Sequence, residues 1–295
     1  YLDFAKAFDK VDHEILIRKL ELFGIKGKLL AWIKDFLLNR QQLVTVFGVH
    51  SVLALVLSGV PQGSVLGPVL FNLYIRSIYR FVQGLDFTIY GYADDHQILK
   101  RFKPINQCET LLSKLRGCFA SIRAWMKKYF LAMNDSKTQI IVFGPMSVLR
   151  EINIKGVNFG SDTTIRFVST VKNLGIHIDS GLTMSNHVVE LKKKCFLTLR
   201  NLTKIRFLLT TKQLKTIVNS LVVSCLDYCN AMFYGISKYL IHQLQLIQNA
   251  CAKAVTGKYK FDHLGDDLYK LHWLKCLLSF KAINGIAPLY LQDMF

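Results

Sequence analysis

Tyr92-Ala93-Asp94-Asp95 is the stretch whose reading decides the fold. Gly91 precedes it, and two strand-like runs flank it, Phe87 to Tyr90 and Gln97 to Leu99. That layout predicts strand, tight turn, strand, with two carboxylates at the turn. Asp is common in turns because its side chain bonds nearby backbone, so the pair alone has an ordinary explanation. Two further stretches change the balance. Tyr1-Leu2-Asp3-Phe4-Ala5-Lys6-Ala7-Phe8-Asp9 opens the chain, and Ser58-Gly59-Val60-Pro61-Gln62-Gly63-Ser64 lies between the two acidic sites.

Working outward, Tyr1 to Phe4 reads as the tail of a strand with Asp3 near its end. Because Tyr1-Leu2-Asp3 reads as the end of a core strand and the first residue is not Met, a fragment lacking its upstream part is expected. Asp9 or Asp12 can cap the helix that follows, whose Ile15, Leu16, Leu20 and Phe23 recur at helical spacing up to Gly24. A second amphipathic helix is predicted from Lys26 to Leu38, and a hairpin from Leu43–Phe47 and Val52–Leu57. Gly59, Gly63 and Gly67 leave the Ser58–Pro68 loop open to close approach by a ligand. A helix over Val69–Tyr79 should follow, then a long one over Asn106–Tyr129 with Leu111, Leu112, Leu115, Phe119, Ile122 and Met126 buried. Short strands are expected at Gln139–Phe143, Ile152–Ile154, Thr164–Phe167 and Val171–Ile178. From Ser185 the pattern becomes helical and basic, with at least three helices around Leu197–Leu209, Leu214–Tyr228 and Tyr239–Val255. The change near Asp179–Met184 is the natural domain boundary.

The 295 residues suffice for a full core and two domains, and 51% hydrophobic content excludes a disordered chain. There are 38 Lys and Arg against 20 Asp and Glu, a formal charge of +18, which favours a polyanionic partner. Asp3, Lys6 and Asp9 break any signal peptide, and the uncharged stretch Gln41–Ile75 carries too much Gly, Pro, Gln and Ser for a membrane span, so no membrane partner is expected. The seven cysteines show no paired zinc spacing, and Cys225 and Cys229, four apart, read as buried thiols. His263, His272 and Cys276 fit no common closed zinc site. A reducing, intracellular setting follows, nuclear or cytoplasmic.

In this order the three stretches resemble the catalytic motifs of a reverse transcriptase, of the non-LTR (LINE-type) retrotransposon group that includes jockey-like and chicken-repeat-like elements. Leu2 to Asp9 with Val11-Asp12-His13 matches the first motif, Gly59 to Pro68 the second, and Tyr92 to Asp95 the third. Trp125-Met126 with Leu131, Asn134 and Lys137-Thr138 matches the fourth, and Asn173-Leu174-Gly175 the fifth. Leu226 to Asn230, Leu244 to Asn249 and Leu271 to Leu274 match the region beyond.

The resemblance implies an α+β right-hand polymerase: a palm over residues 1–145 with partial fingers, the palm end and primer grip over 146–184, and a helical thumb with its extension over 185–295. It implies an RNA-directed DNA polymerase that uses an RNA template, a DNA primer and a dNTP. Two Mg2+ ions, with Mn2+ as a substitute, would be held by Asp3, Asp94 and Asp95, because hard cations take oxygen ligands. Lys137 would stand near the leaving pyrophosphate, Phe8 under the incoming sugar, and Gln62, Gly63, Tyr92 and Ala93 beside nucleotide and template. Leu174 and Gly175 would form the primer grip. The family's fingers and endonuclease lie upstream in a longer polyprotein. The alternative is a non-catalytic nucleic-acid-binding remnant without fingers; a maturase-like or telomerase-like relative fits the tail less well. Three departures stand out: His96 in place of the usual Thr, Arg76-Ser77 in place of Asn-Asp, and a shortened stretch after Leu274.

Overall fold

The computed structural model describes residues 1–151, 156–158, 164–259, 261–271 and 273. The expected strand Ile152–Ile154, the stretch beyond Leu274, and His272 and Cys276 lie outside the described residues. The structure divides into two compact units, Tyr1–Val168 and Ser169–Phe295.

In the first unit, Asp12 caps helix α1 (His13–Leu22), its Oδ1 accepting from the Ile15 N–H at 2.8 Å. Asp9, the other candidate cap, is bonded elsewhere. Leu16 and Leu20 turn inward one helical turn apart, and Gly24 at φ +86° ends the run. Helix α2 (Gly27–Leu37) buries Leu30, Ile33 and Leu37. The expected hairpin forms in two short pieces, β1 (Gln41–Gln42) with β4 (Ala54–Leu55) and, nested inside, β2 (Thr45–Val46) with β3 (Val49–His50), all exposed.

The helix expected over Val69–Tyr79 is two helices, α3 (Gly67–Ile75) and α4 (Ser77–Gly84), parted at Arg76. Arg76 itself keeps right-handed helical angles, φ −49° and ψ −33°, so the two helices meet with no extended residue between them. Helix α3 is enclosed on several sides through Leu70, Phe71, Tyr74 and Ile75, whereas α4 buries only Ile78 and Val82 on one face. Strands β5 (Thr88–Tyr92) and β6 (Asp95–Leu99) form the hairpin around the acidic turn. Helix α5 (Pro104–Lys128) packs Phe119, Ile122, Trp125 and Met126 into the same core.

Gln139–Phe143 is not a strand; it makes a single bridge, Ile140 to Phe167, beside the paired bonds between Tyr1 and Gln139. Each neighbour offers only one residue of pairing there. A short helix α6 (Met146–Glu151), which no periodicity announced, precedes the hairpin β7 (Gly156–Asn158) and β8 (Thr164–Arg166). Val157 and Ile165 of that hairpin are buried.

In the second unit, the single strand expected over Val171–Ile178 is a hairpin, β9 (Thr170–Asn173) and β10 (Ile176–Asp179). Leu174 and Gly175, both at positive φ, reverse the chain as a two-residue primed turn requires. Helix α7 (Ser185–Lys204) lays Val188, Leu191, Cys195, Leu199 and Leu202 against Leu244, Ile247, Cys251 and Val255 of α10 (Lys238–Thr256). Between them run α8 (Thr211–Val218), started by a Thr210–Gln213 capping box, a π-helical turn Asn219–Val223, and α9 (Ser224–Asp227). Helix α11 (Gly265–Lys270) follows α10. The units divide before β9, earlier than the strand-to-helix junction at Asp179–Met184, because Ile176 of β10 belongs to the helical core. Cys225 and Cys229 are half-buried free thiols rather than fully buried ones. Among the described residues no helix is long and apolar enough to cross a membrane.

Candidate active site

The β5–β6 ladder runs without a bulge from Thr88↔Leu99 to Tyr92↔Asp95, so Ala93 and Asp94 alone make the turn. Ala93 sits at φ +53°. Of the two turn residues only the first is at positive φ, as in a type II′ turn, a position that glycine usually fills. An alanine held there is strained, and such strain gathers at functional turns. The result is an exposed Asp94 at the tip and an exposed Asp95 as the last paired residue.

Asp3 reaches the same place by backbone pairing. The Leu2 N–H donates to the His96 carbonyl at 2.8 Å, and the His96 N–H to the Leu2 carbonyl at 3.4 Å. On the other side, the Asn134 N–H donates to the Asp3 carbonyl at 2.8 Å, and the Asp3 N–H donates to Thr138 Oγ1 at 3.4 Å. The Thr138 hydroxyl in turn donates to the Asn134 carbonyl at 2.8 Å. Asp3 is thus clamped between β6 and the turn that carries Lys137, whose N–H closes on Asn134. The electrostatics register the gathering: burial, then the charges of Asp94 and Asp3, hold the Asp95 carboxyl above the usual carboxylate range.

His96 is the side chain that sequence reasoning passed over, noting only its unusual identity. It is 1% exposed, directly beneath the turn. Its Nδ1 lies 3.2 Å from the Asp94 carbonyl and its Nε2 3.4 Å from the Tyr79 hydroxyl. A ring protonated at Nδ1 satisfies both contacts, donating to Asp94 and accepting from Tyr79. Phe4 packs edge-on at 5.1 Å between ring centroids. Burial pushes the imidazole pKa down, against the opposing pull of the Asp94 carbonyl and the nearby carboxylates. Gly91 stands directly across the ladder, where a Cβ would meet the imidazole Nε2 at 2.5 Å and the Tyr79 hydroxyl closer still. The available signal was the strand period, which puts His96 on the same face as the inward Ile98.

The Ser58–Pro68 loop is stapled to the opening segment. Gly59 N–H donates to the Val11 carbonyl at 2.8 Å, Val60 N–H to the Phe8 carbonyl at 2.9 Å, and the Ser58 hydroxyl to the Asp9 carbonyl at 2.9 Å. Gln62 Nε2 donates to Asp9 Oδ1 at 2.9 Å. A Cβ on Gly59 would lie 2.9 Å from the Asp9 backbone, so this close approach requires glycine. Gly63, at φ +79°, faces open space. Phe8 is half-buried and tilts over Phe71 of α3 at 4.7 Å. Tyr92 is 70% exposed on β5. Leu174 and Gly175 belong to the second unit, where the Tyr228 hydroxyl donates to the Leu174 carbonyl at 2.7 Å and fixes the hairpin tip.

Backbone pairing thus sets Asp3 beside the strand that carries Asp95 and beside the turn that carries Lys137. Residues 1–178 match the model of a family described as reverse transcriptase (RNA-dependent DNA polymerase). The chain belongs to that family. Among curated proteins it is 27% identical over 270 residues to the probable RNA-directed DNA polymerase from transposon BS of Drosophila melanogaster, covering 87% of this chain. It is 26% identical over 268 residues to the RNA-directed DNA polymerase from mobile element jockey of Drosophila funebris, again covering 87%. A Pol polyprotein from the type-1 retrotransposable element R1 of Bradysia coprophila is 24% identical over 265 residues, 86% of this chain and 24% of that protein. The chain spans 28% of the length of the BS and jockey proteins.

Reverse transcriptases generally use divalent metal ions, and hard cations of that kind take oxygen ligands such as carboxylates. Among the described residues no three His, Cys, Asp or Glu side chains are gathered closely enough to ligate an ion as they stand.

Proposed function

We propose that this reverse transcriptase chain is the RNA-directed DNA polymerase region of a retrotransposon, with the first unit as palm and the second as thumb and extension. The observation that carries the reading is the backbone pairing of Leu2 with His96, which sets Asp3 beside the strand that carries Asp95 from a distant part of the sequence. Its substrates are an RNA template, a DNA primer and a dNTP, and its setting is a larger polyprotein; the relatives' names, RNA-directed DNA polymerase and Pol polyprotein, support the template, the product and the setting.

Asp3, Asp94 and Asp95 would hold two divalent cations, Mg2+ in the first instance. When bound, such a pair stabilises the attacking and leaving oxygens of an in-line displacement. The chain's own residues do the positioning. The exposed Asp94 tip and the clamped Asp3 present carboxylates on rigid backbone, which a site working by orientation requires. The Asp9–Gln62 bond orients the second-motif loop, leaving the open Gly63 backbone to approach nucleotide and template. Tyr92 and Ala93 shape the edge beside nucleotide and template. Lys137, exposed on the turn that clamps Asp3, offers an ammonium for charge developing on the leaving pyrophosphate. Phe8 lies under the incoming sugar, and Leu174-Gly175 grips the primer.

Single-turnover extension of a DNA primer on an RNA template tests this, with the chain carried in its full-length polyprotein. Asp94→Asn and Asp3→Asn should abolish extension while template–primer binding persists. Full activity in either variant would remove the metal-site assignment.

A further inference from the structure

Helices α7 and α10 leave an open recess of about 360 Å3 between them, away from the carboxylate turn in sequence and in the second unit. Val188 and Leu240 floor it, both buried. Phe196 at 37% and Tyr239 at 69% exposure turn aromatic surface towards solvent along it. Lys192 and Lys193 stand at its rim. The Lys192 ammonium lies 6.0 Å from the Phe196 ring centroid and donates to Gln243 Oε1 at 2.6 Å, so both contacts are with neutral groups and its charge is uncompensated by them. Lys193 is paired to Glu190 at 2.7 Å on the exposed face. No carboxylate lines the recess.

We propose that this recess is a stacking site for unpaired nucleotides of a single-stranded nucleic acid, resting on the polymerase reading above but separate from the duplex grip expected of basic thumb helices. Three features select this occupant. Exposed aromatic faces give π-surface to any base, independent of sequence. An ammonium held at the rim meets a backbone phosphate, and the lack of acidic lining suits a polyanion. The volume, about 360 Å3, falls within the range of small ligand sites, room for a base and too little for a duplex.

The test uses the whole 295-residue chain and three fluorescent probes: a single-stranded oligothymidylate, an abasic oligonucleotide of equal length, and a duplex. Tyr239→Ala should weaken oligothymidylate binding about 5-fold to 150-fold, the range for loss of one stacked base, and Tyr239→Phe should restore it. Binding of the abasic strand should be unmoved by either change. Lys192→Gln should shallow the salt dependence of the single-strand complex by about 0.7 in log K against log salt. A 4-thiouridine oligonucleotide should photo-crosslink to the peptide containing Tyr239. Because Tyr239 is exposed, circular dichroism of Tyr239→Ala should match the parent and exclude misfolding. Unchanged oligothymidylate affinity in Tyr239→Ala, an equal loss for the abasic strand, or altered self-association in its place would overturn the stacking site alone. A parent chain that binds none of the three probes would overturn the polymerase reading with it.

Discussion

Gly91→Ala tests the role of the buried histidine beneath the acidic turn. The new methyl carbon would lie 2.5 Å from His96 Nε2 and 2.6 Å from its Cδ2, against about 3.5–4.0 Å for an ordinary contact. The Tyr79 hydroxyl is nearer still. Something must give by about 1 Å, the difference between those distances. If the imidazole stays, the strand must back away, an overpacking strain of about 1–3 kcal/mol. If it moves, it loses its bonds to the Asp94 carbonyl and the Tyr79 hydroxyl, each worth about 0.5–1.5 kcal/mol. Both routes cost about 1–3 kcal/mol, and the first unit should lose roughly 2–12 °C in Tm at about 2–4 °C per kcal/mol for a domain of this size. Thermal unfolding followed by circular dichroism measures it, and a double-mutant cycle with His96→Thr assigns it. The smaller side chain removes two of the three close atoms and leaves space into which the third, the Tyr79 hydroxyl, can move, so Gly91→Ala should cost less in the His96→Thr background. Extension should fall in Gly91→Ala and partly return in the pair, since the Asp94 carbonyl rides on the imidazole. Additive effects, or a Gly91→Ala variant as stable as the parent, would refute the idea that His96 holds the turn.

Burial lowers the Lys19 ammonium from 10.5 to about 8, while its Nζ lies 3.8 Å from the Tyr129 ring centroid and 4.9 Å from that of Tyr74. Between those two values the unfolded chain keeps a proton that the folded chain has released, so stability should rise with pH across that window; Lys19→Met should flatten the rise in Tm, and an identical slope in both would show that the rings offset the burial. Phe8→Ala should raise ribonucleotide over deoxynucleotide incorporation if the ring gates the sugar, whereas the packing of Phe8 on Phe71 alone predicts equal losses; the ratio of kcat/KM for the two nucleotides decides, because global stability cancels from it. Affinity for template–primer should fall steeply with salt, by about 0.9 in log K per phosphate contact on B-form DNA, and a salt-insensitive complex would contradict the part assigned to the formal charge of +18.

The sequence by itself determined the local features: the two-residue acidic turn between β5 and β6, the capped α1, the long α5 and the basic helices after Ser185. Each is encoded within a few residues, by strand alternation, helical spacing or turn chemistry, so no distant partner is needed to read it. The three motifs in order were legible for the same reason, since each is a contiguous stretch. Tertiary structure decided the rest. Asp3 joins Asp94 and Asp95 only because Leu2 pairs with His96 and Asn134 closes on the Asp3 carbonyl, contacts between residues far apart in the chain. The reversal at Leu174-Gly175 depends on a positive φ that leucine seldom adopts. His96 looked like an exchange of one polar residue for another. Its position under the turn, with Gly91 opposite leaving space for its ring, follows from cross-strand register, which pairing sets and local sequence does not.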